Sequence, residues 1–207
     1  AKKSATSFAQ LKKNLLMNIL TARTFAGVLM GAARTMADMW NESNEYIETM
    51  NLFRVTMGDA SDEALKYANN VSKAMGIDIA DWMQYQGTFK NLTSGFGVAS
   101  DKANIMSQNL TQLSYDMASF FNASSVEESF DKLSSAMSGQ VKGLREYGID
   151  TTVATLQEYA LSKGIQTKVR AMTQAEKTML RYNYIMEQSE HIQGDMARTI
   201  ITPANAL

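Results

Sequence analysis

The sequence predicts an all-α protein, a multi-helix antiparallel bundle of about seven to eight helices joined by short turns that glycines mark. Three observations lead to this prediction. Apolar residues return every three or four positions, which is the period of an α-helix. A single proline, Pro203, leaves almost nothing to interrupt helices. Glycines recur between the periodic segments, where helices are expected to stop.

The first forty residues predict a basic amphipathic helix. Apolar side chains three and four positions apart form one face, and lysines lie on the other. These forty positions hold six basic residues and one acidic residue, whereas residues 41–207 hold 14 basic and 20 acidic ones. Such a face suits an anionic membrane or an acidic partner, and a solvated helix face is the simpler alternative. The residues predicted to make these contacts are Lys12, Lys13, Arg23 and Arg34.

Gly27 and Gly31 have the spacing of small residues that lets two helices approach closely, so they predict a helix–helix contact. A kink or ordinary close packing is the alternative. The apolar pattern resumes after them and reaches Ile47 and Met50. Residues 1–57 are therefore predicted as a basic amphipathic element, either one long helix or a helix pair hinged near Gly31.

Residues 58–207 are predicted to form a compact helical module. Ser61, Asp78 and Ser100 each precede an apolar-periodic segment and are expected to cap it, because their side-chain oxygens can accept hydrogen bonds from unpaired amides. Gly76 is expected to end the helix that Ser61 begins. The chain starts without Met and stops within an apolar pattern, so we expect it to be a fragment of a longer chain.

The helix after Ser100 carries the clearest apolar stripe. Trp40 and Trp82 also fall on apolar faces and are predicted to anchor the core. The fifteen methionines are expected to fill core gaps, with an adaptable partner surface as the alternative. The members of the stripe are Met106, Leu110, Leu113, Met117 and Phe120.

Two further helix starts have the spacing of a capping box, in which a Ser or Thr and a Glu three residues later satisfy each other's backbone amides. They are Ser124–Glu127 and Thr173–Glu176. Between them, 152–162 has a helical pattern. The pattern after Thr173 leaves open whether its helix stops at Gly194 or continues to Ile201.

The composition excludes most sites of chemistry. Without cysteine there is no disulfide, thiolate zinc site or cysteine nucleophile. The single histidine, His191, lies in a polar run, and the chain has no Gly-x-Ser-x-Gly turn. We therefore predict no cofactor, no metal and no enzymatic activity. A net charge of -1 predicts no specific nucleic-acid partner, and Arg23 within the most apolar stretch argues against a membrane span.

Several strings occur in an order and spacing that resemble the tail tape-measure proteins of long-tailed bacteriophages and prophages. The resemblance covers roughly residues 45 to 207, and the first forty residues carry little of it. Gln140 and Gly143 depart from the family pattern, which usually has an acidic residue and a proline there. The strings are Asn51–Gly58, Gly95–Lys102, Asn109–Phe120, Ser135–Gly139, Leu144–Ile149, Met172–Lys177, Gly194–Thr199 and Thr202–Asn205.

The resemblance implies a virion structural protein. Several copies would thread the tail tube, their length would set tail length during assembly, and they would leave ahead of DNA to help it cross the host envelope. The implied partners are other copies of the chain, tail-tube, tail-tip or chaperone proteins, and the host membrane. The implied locations are the tail-tube lumen or tail tip, and the host cytoplasm during assembly.

Within that family, we expect this chain to be a folded module rather than part of the extended helical segment that measures tail length. Its glycine-marked turns fold the chain back, so it spans much less distance than one continuous helix would. Two other hypotheses remain open. One is a membrane-active or pore-forming helical module built on the basic residues of 1–57. The other is an enzyme, which the absence of a usable nucleophile–base pair or metal cluster disfavours.

Overall fold

A computed structural model describes residues 44–200, and within this range every regular element is a helix. The predicted all-α helical bundle is thereby confirmed. Short 3₁₀ turns lie at Gly58–Ala60 and Val169–Ala171. The α-helices are α1 (Asn44–Met57), α2 (Ser61–Met75), α3 (Ile79–Gly95), α4 (Ser100–Phe120), α5 (Val126–Met137), α6 (Lys142–Arg145), α7 (Val153–Ser162), α8 (Gln174–Gln188) and α9 (Asp195–Ile200).

Two of the predicted helix starts are confirmed. The Asp78 carboxylate accepts a hydrogen bond from the Ala80 amide at 2.7 Å and caps α3. Thr173 and Glu176 form the complete capping box of α8, with Thr173 Oγ1 accepting from the Glu176 amide and the Glu176 carboxylate accepting from the Thr173 amide. Both starts depend on residues within one helical turn, which is why the sequence reveals them.

The helix predicted over 152–162 is also confirmed, as α7 with Thr152 at its N-cap, whereas three other helix starts differ from the predictions. Ser61 and Ser100 are the first residues of α2 and α4 and do not cap them. The Ser100 hydroxyl accepts instead from the Lys90 ammonium at 2.9 Å, a tertiary contact that competes with capping. The N-cap of α5 is Ser125, which accepts from the Glu128 amide, so the start is displaced by one residue from the prediction; the Glu128 carboxylate accepts from the Ser124 amide, and the box is incomplete.

Gly76 and Gly194 both have left-handed backbone conformations, and Gly76 ends a helix whereas Gly194 precedes one. Gly76 has a φ of 66° and terminates α2, as predicted. The helix begun by Thr173 does not continue to Ile201. It stops at Gln188, and after a turn through Gly194, with a φ of 79°, α9 begins.

Two clusters of buried side chains hold the helices together. The C-terminal core contains 24 buried residues, from Phe89 to Ile192, and joins α4 to α5, α7 and α8. The N-terminal core joins α1, α2 and α3, with Tyr115 contributed by α4. Its buried members are Met50, Phe53, Met57, Ala64, Ala68, Val71, Met75, Ile79, Trp82, Met83 and Tyr115.

Most predicted core residues are buried. Trp82 is fully buried, and four members of the α4 stripe are at most 1% exposed. The fifth, Phe120, is the last residue of the helix; it is 41% exposed and its ring contacts His191 edge-on. Ile47 was predicted on the same face as Met50 and is 49% exposed. The inner face of α1 is centred closer to Phe53, about 120° around the helix from Ile47.

Candidate interaction surfaces

The predicted contact residues lie outside the described residues. All of them precede position 44, and so does Trp40. The prediction that residues 1–57 form one helix or a helix pair hinged near Gly31 also depends on residues outside the described range. These predictions therefore stay predictions. The residues concerned are Lys12, Lys13, Arg23, Arg34, Gly27 and Gly31.

The carboxylate of Asp116 attaches α4 to the start of α9. Asp116 is fully buried, and its oxygens accept hydrogen bonds from the backbone amides of Gly194 at 2.9 Å and Met196 at 3.2 Å. Beside it, the Ser119 hydroxyl donates to Asp195 Oδ2 at 2.8 Å. Amides at a helix start lack partners within the helix. Asp116 thus supplies, from another helix, the acceptors that a local cap would otherwise provide.

Burial raises the pKa of Asp116 to about 6. The amides of Gly194 and Met196 and the charge of Arg198 act in the opposite direction, because each favours the ionised carboxylate. Burial, assisted by the charge of Asp116, raises the pKa of Tyr67 on α2 to about 12. Asp116 is therefore a buried group of the described chain whose charge changes close to neutral pH.

Six aromatic rings from four helices, α2 to α5, form a continuous row, which we call the aromatic row. Trp82 stacks on Tyr115 with 5.6 Å between ring centroids, and its indole N–H donates to Gln86 Oε1 at 2.8 Å. Because Trp82 and Tyr115 belong to the N-terminal core and Phe89 to the C-terminal core, the row connects the two. Its members in order of contact are Tyr67, Trp82, Tyr115, Tyr85, Phe130 and Phe89.

Four carboxylates form a group beside Tyr85, the fourth ring of this row. Asp78 and Asp81 lie at the start of α3, and Glu127 and Asp131 lie on α5. Burial raises the pKa of Asp81, and the charges of Asp78 and Glu127 add to the effect. None of the four forms an ion pair within residues 44–200. The result is a negative surface that water can solvate.

Helix α1 exposes three large apolar side chains, which lie among polar residues on its outer side. Leu52 is 66% exposed and Val55 is 80% exposed, in addition to Ile47. These three belong to the outer face of α1, as we call it, which also includes Glu48 and Asn51. Of the helices in the range 44–200, none is long and apolar enough to cross a bilayer.

The remaining polar groups connect helices. Across residues 44–200, no group of three His, Asp or Glu side chains is placed to hold a metal ion. His191 is exposed and contacts the Phe120 ring edge-on at 5.6 Å. The Tyr159 hydroxyl donates to Glu187 at 3.0 Å and joins α7 to α8, and burial raises the pKa of Tyr159 so that it stays protonated. These contacts stabilise packing.

Within residues 44–200 the fold defines an all-α helical bundle. Comparisons of the chain with protein-family models, curated proteins and solved structures found no match.

Sequence analysis missed the contact made by Asp116. One signal was present: Asp116 directly precedes Met117 of the apolar stripe, and an acid within a buried helix face requires polar partners. The partner amides lie 78 and 80 residues away, beyond the reach of any spacing rule. The exposed apolar side chains of α1 were also missed, because the periodic pattern does not show which side of the helix meets the core.

Proposed function

We propose that this chain is part of a tail tape-measure protein of a long-tailed phage or prophage. In this role it is a structural, non-enzymatic component of the virion that helps to set tail length during assembly and to bring the genome across the host envelope. The observation that carries the proposal is the ordered set of strings that resemble this family.

The positions of the strings in the fold support a shared module. Asn109–Phe120 and Gly194–Thr199 contact each other through Asp116. Met172–Lys177 contains the capping box of α8, and Gly95–Lys102 forms the turn between α3 and α4. Several of the strings thus lie where helices start, turn or contact one another. A chain that keeps these strings in the same order would therefore keep the turns and contacts that join the helices of one unit.

The described helices fold back repeatedly. The longest, α4, has 21 residues and spans about 32 Å, whereas 44–200 as one continuous helix would span about 235 Å. Within the proposed function, this part of the chain is therefore a folded module, and it adds little to the length that the tape-measure protein spans.

Tail length in the encoding phage tests the proposal. Codons 44–200 are deleted from the parent gene, and a matched deletion removes the same number of codons from an uninterrupted helical segment of the same parent protein. We expect the matched deletion to shorten tails by about 1.5 Å per residue and the deletion of 44–200 to shorten them much less, as measured by negative-stain electron microscopy.

The outcomes separate the two parts of the proposal. If the deletion of 44–200 shortens tails by the full helical length, the claim that this part of the chain is folded back is contradicted. The proposed tape-measure function would still stand. Purified tails of the intact phage that lack this chain, as judged by mass spectrometry, would contradict the tape measure itself.

A second function, a membrane-active helical module, is favoured by the charge asymmetry of the chain. Six of the 20 basic residues fall within the first forty positions, against one of the 21 acidic residues. The full chain is then expected to release dye from anionic vesicles, and the combined substitutions Lys12→Glu, Lys13→Glu, Arg23→Glu and Arg34→Glu should abolish release. Equal release by both proteins would contradict this function.

A further inference from the structure

Helix α9 is too short to be stable by itself. It has six residues, whereas an isolated helix needs about 12–15 residues to be even marginally stable in water. Its order therefore depends on what it packs against. Met196 and Ala197 lie against the N-terminal core, whereas Ile192, in the turn before α9, is buried in the C-terminal core. The helix thus connects the end of the C-terminal core to the N-terminal core.

Polar contacts with α4 hold the start of α9 in place. Asp116 accepts hydrogen bonds from the amides of Gly194 and Met196 at 2.9 and 3.2 Å, and the Ser119 hydroxyl donates to Asp195 at 2.8 Å. Gly194 joins the preceding turn to α9 in a left-handed conformation, which glycine adopts without strain. Since α9 packs mainly on α4 and α2, it can leave without separating other helices from one another.

The surroundings of Asp116 compensate its charge without a direct cation. Asp116 forms no ion pair within residues 44–200. Tyr67 on α2 and Arg198 on α9 lie near enough to interact with its charge, and Arg198 itself pairs with Asp195 at 3.2 Å. On α4, the Gln112 amide donates to Asp116 at 3.3 Å. The carboxylate is therefore held by amide groups, and part of its cover is α9.

Opening of α9 would return Asp116 to water. Burial raises the pKa of Asp116 to about 6 in the closed state, against 3.8 for an ordinary aspartate. The closed state thus holds the proton more tightly, so protonation favours closing. This advantage is complete below pH 3.8 and is lost as the pH rises through 6. Tyr67, with a pKa of about 12, stays neutral over this range, and Arg198 stays charged.

We propose that α9 is a clasp that opens locally while the other helices stay folded, and that protonation of Asp116 closes it as the pH falls. Acidification then tightens the connection between the two cores, and a rise in pH loosens it. Between pH 5 and pH 7 the opening equilibrium should increase about tenfold. This inference rests on the contacts of α9, and it is independent of the proposed function.

Amide hydrogen exchange of the full chain, followed by NMR, tests the clasp. The amides of Gly194 and Met196 are bonded to Asp116, so they exchange when α9 opens. Protection is expressed relative to the intrinsic exchange rate, which removes the ordinary effect of pH. We expect protection of these two amides to be about tenfold greater at pH 5 than at pH 7.

Urea distinguishes local opening from unfolding of the whole chain. The amide of Leu133, in the C-terminal core, is the reference. Low concentrations of urea should accelerate exchange at Leu133 and leave exchange at Gly194 and Met196 nearly unchanged, because opening of α9 exposes little surface.

Three substitutions separate titration from packing. Asp116→Asn removes the titrating group and should make protection at Gly194 nearly equal at pH 5 and pH 7. Ser119→Ala removes the hydrogen bond to Asp195 and keeps Asp116, so protection should fall at both pH values while the tenfold ratio remains. Asp195→Asn removes the neighbouring carboxylate and should also keep the ratio. Circular dichroism checks that each variant keeps its helices.

Three results would overturn the proposal. The first is equal protection of the Gly194 and Met196 amides at pH 5 and pH 7 in the native chain. The second is a urea dependence at these amides that matches that of Leu133, which would mean that α9 opens only when the whole chain unfolds. The third is a tenfold ratio that persists in Asp116→Asn or disappears in Asp195→Asn, which would assign the pH dependence to another group.

Discussion

The N-terminal and C-terminal cores stabilise their helices in different ways. The C-terminal core has 24 buried residues, and its helices α5, α7 and α8 each start with a side-chain cap. The N-terminal core has 11, four of them methionines, and its helix α2 starts without a side-chain cap. Of α2 and α3 in the smaller core, only α3 starts with a side-chain cap, from Asp78, whereas the larger core has three such caps and more than twice as many buried residues.

The largest effect is expected from removing the central ring of the smaller core. Trp82→Ala deletes a fully buried side chain and should lower the free energy of unfolding by about 3–5 kcal/mol, as measured by chemical denaturation. Because α1 packs mainly on α3, the helix that carries Trp82, hydrogen exchange in α1 should accelerate most. Leu133→Ala in the C-terminal core is the control and should leave α1 relatively protected; equal acceleration by both variants would remove the distinction between the cores.

The next largest effect concerns the connection between the cores. Tyr115 contacts the rings of Trp82 and Tyr85, so Tyr115→Leu interrupts the aromatic row and keeps an apolar side chain in place. We expect a loss of about 1–3 kcal/mol and a separation of one unfolding transition into two. Coincident transitions by fluorescence and circular dichroism in this variant would show that the row does not couple the cores.

A pH-dependent effect is expected at Asp116. The pKa of its carboxyl is about 6 in the folded protein, against 3.8 for an ordinary aspartate in water, so the folded state holds the proton more tightly. Its stabilising contribution is complete below pH 3.8 and is lost as the pH rises through 6. Between pH 7 and pH 5 this group should add roughly 1–1.5 kcal/mol to the stability of the native chain.

Asp116→Asn removes the titrating group, and the difference between the two proteins isolates its contribution from that of other carboxylates. The variant should lack the gain in melting temperature that Asp116 supplies on acidification. Parallel melting curves for both proteins between pH 5 and pH 7 would contradict the assignment.

The smallest effect distinguishes a capped helix from an uncapped one. Thr173→Ala removes the N-cap of α8 in the C-terminal core and should cost about 1 kcal/mol in urea denaturation. Ser61→Ala at the start of α2 is the matched control and should change stability by less than about 0.5 kcal/mol, because Ser61 does not cap that helix. Similar losses of stability in both variants would show that the side-chain cap does not distinguish the start of α8 from the start of α2.

The sequence determined the features that depend on neighbours along the chain. The helical period, the left-handed glycine at position 76 and the capping box at Thr173 involve residues within one or two turns, so local hydrogen bonding and sterics decide them. Where two local solutions compete, as at Ser124 and Ser125, the spacing rule could not choose between them.

Only the tertiary structure decided which side of a helix is buried and which distant groups meet. The exposure of Ile47 follows from where α2 and α3 pack, and the amides held by Asp116 belong to a turn 78 or more residues away. The hydrophobic effect has no direction and favours burial of any apolar side. Packing geometry therefore selects one side of α1 for the core and brings the Asp116 carboxylate to the unpaired amides of α9.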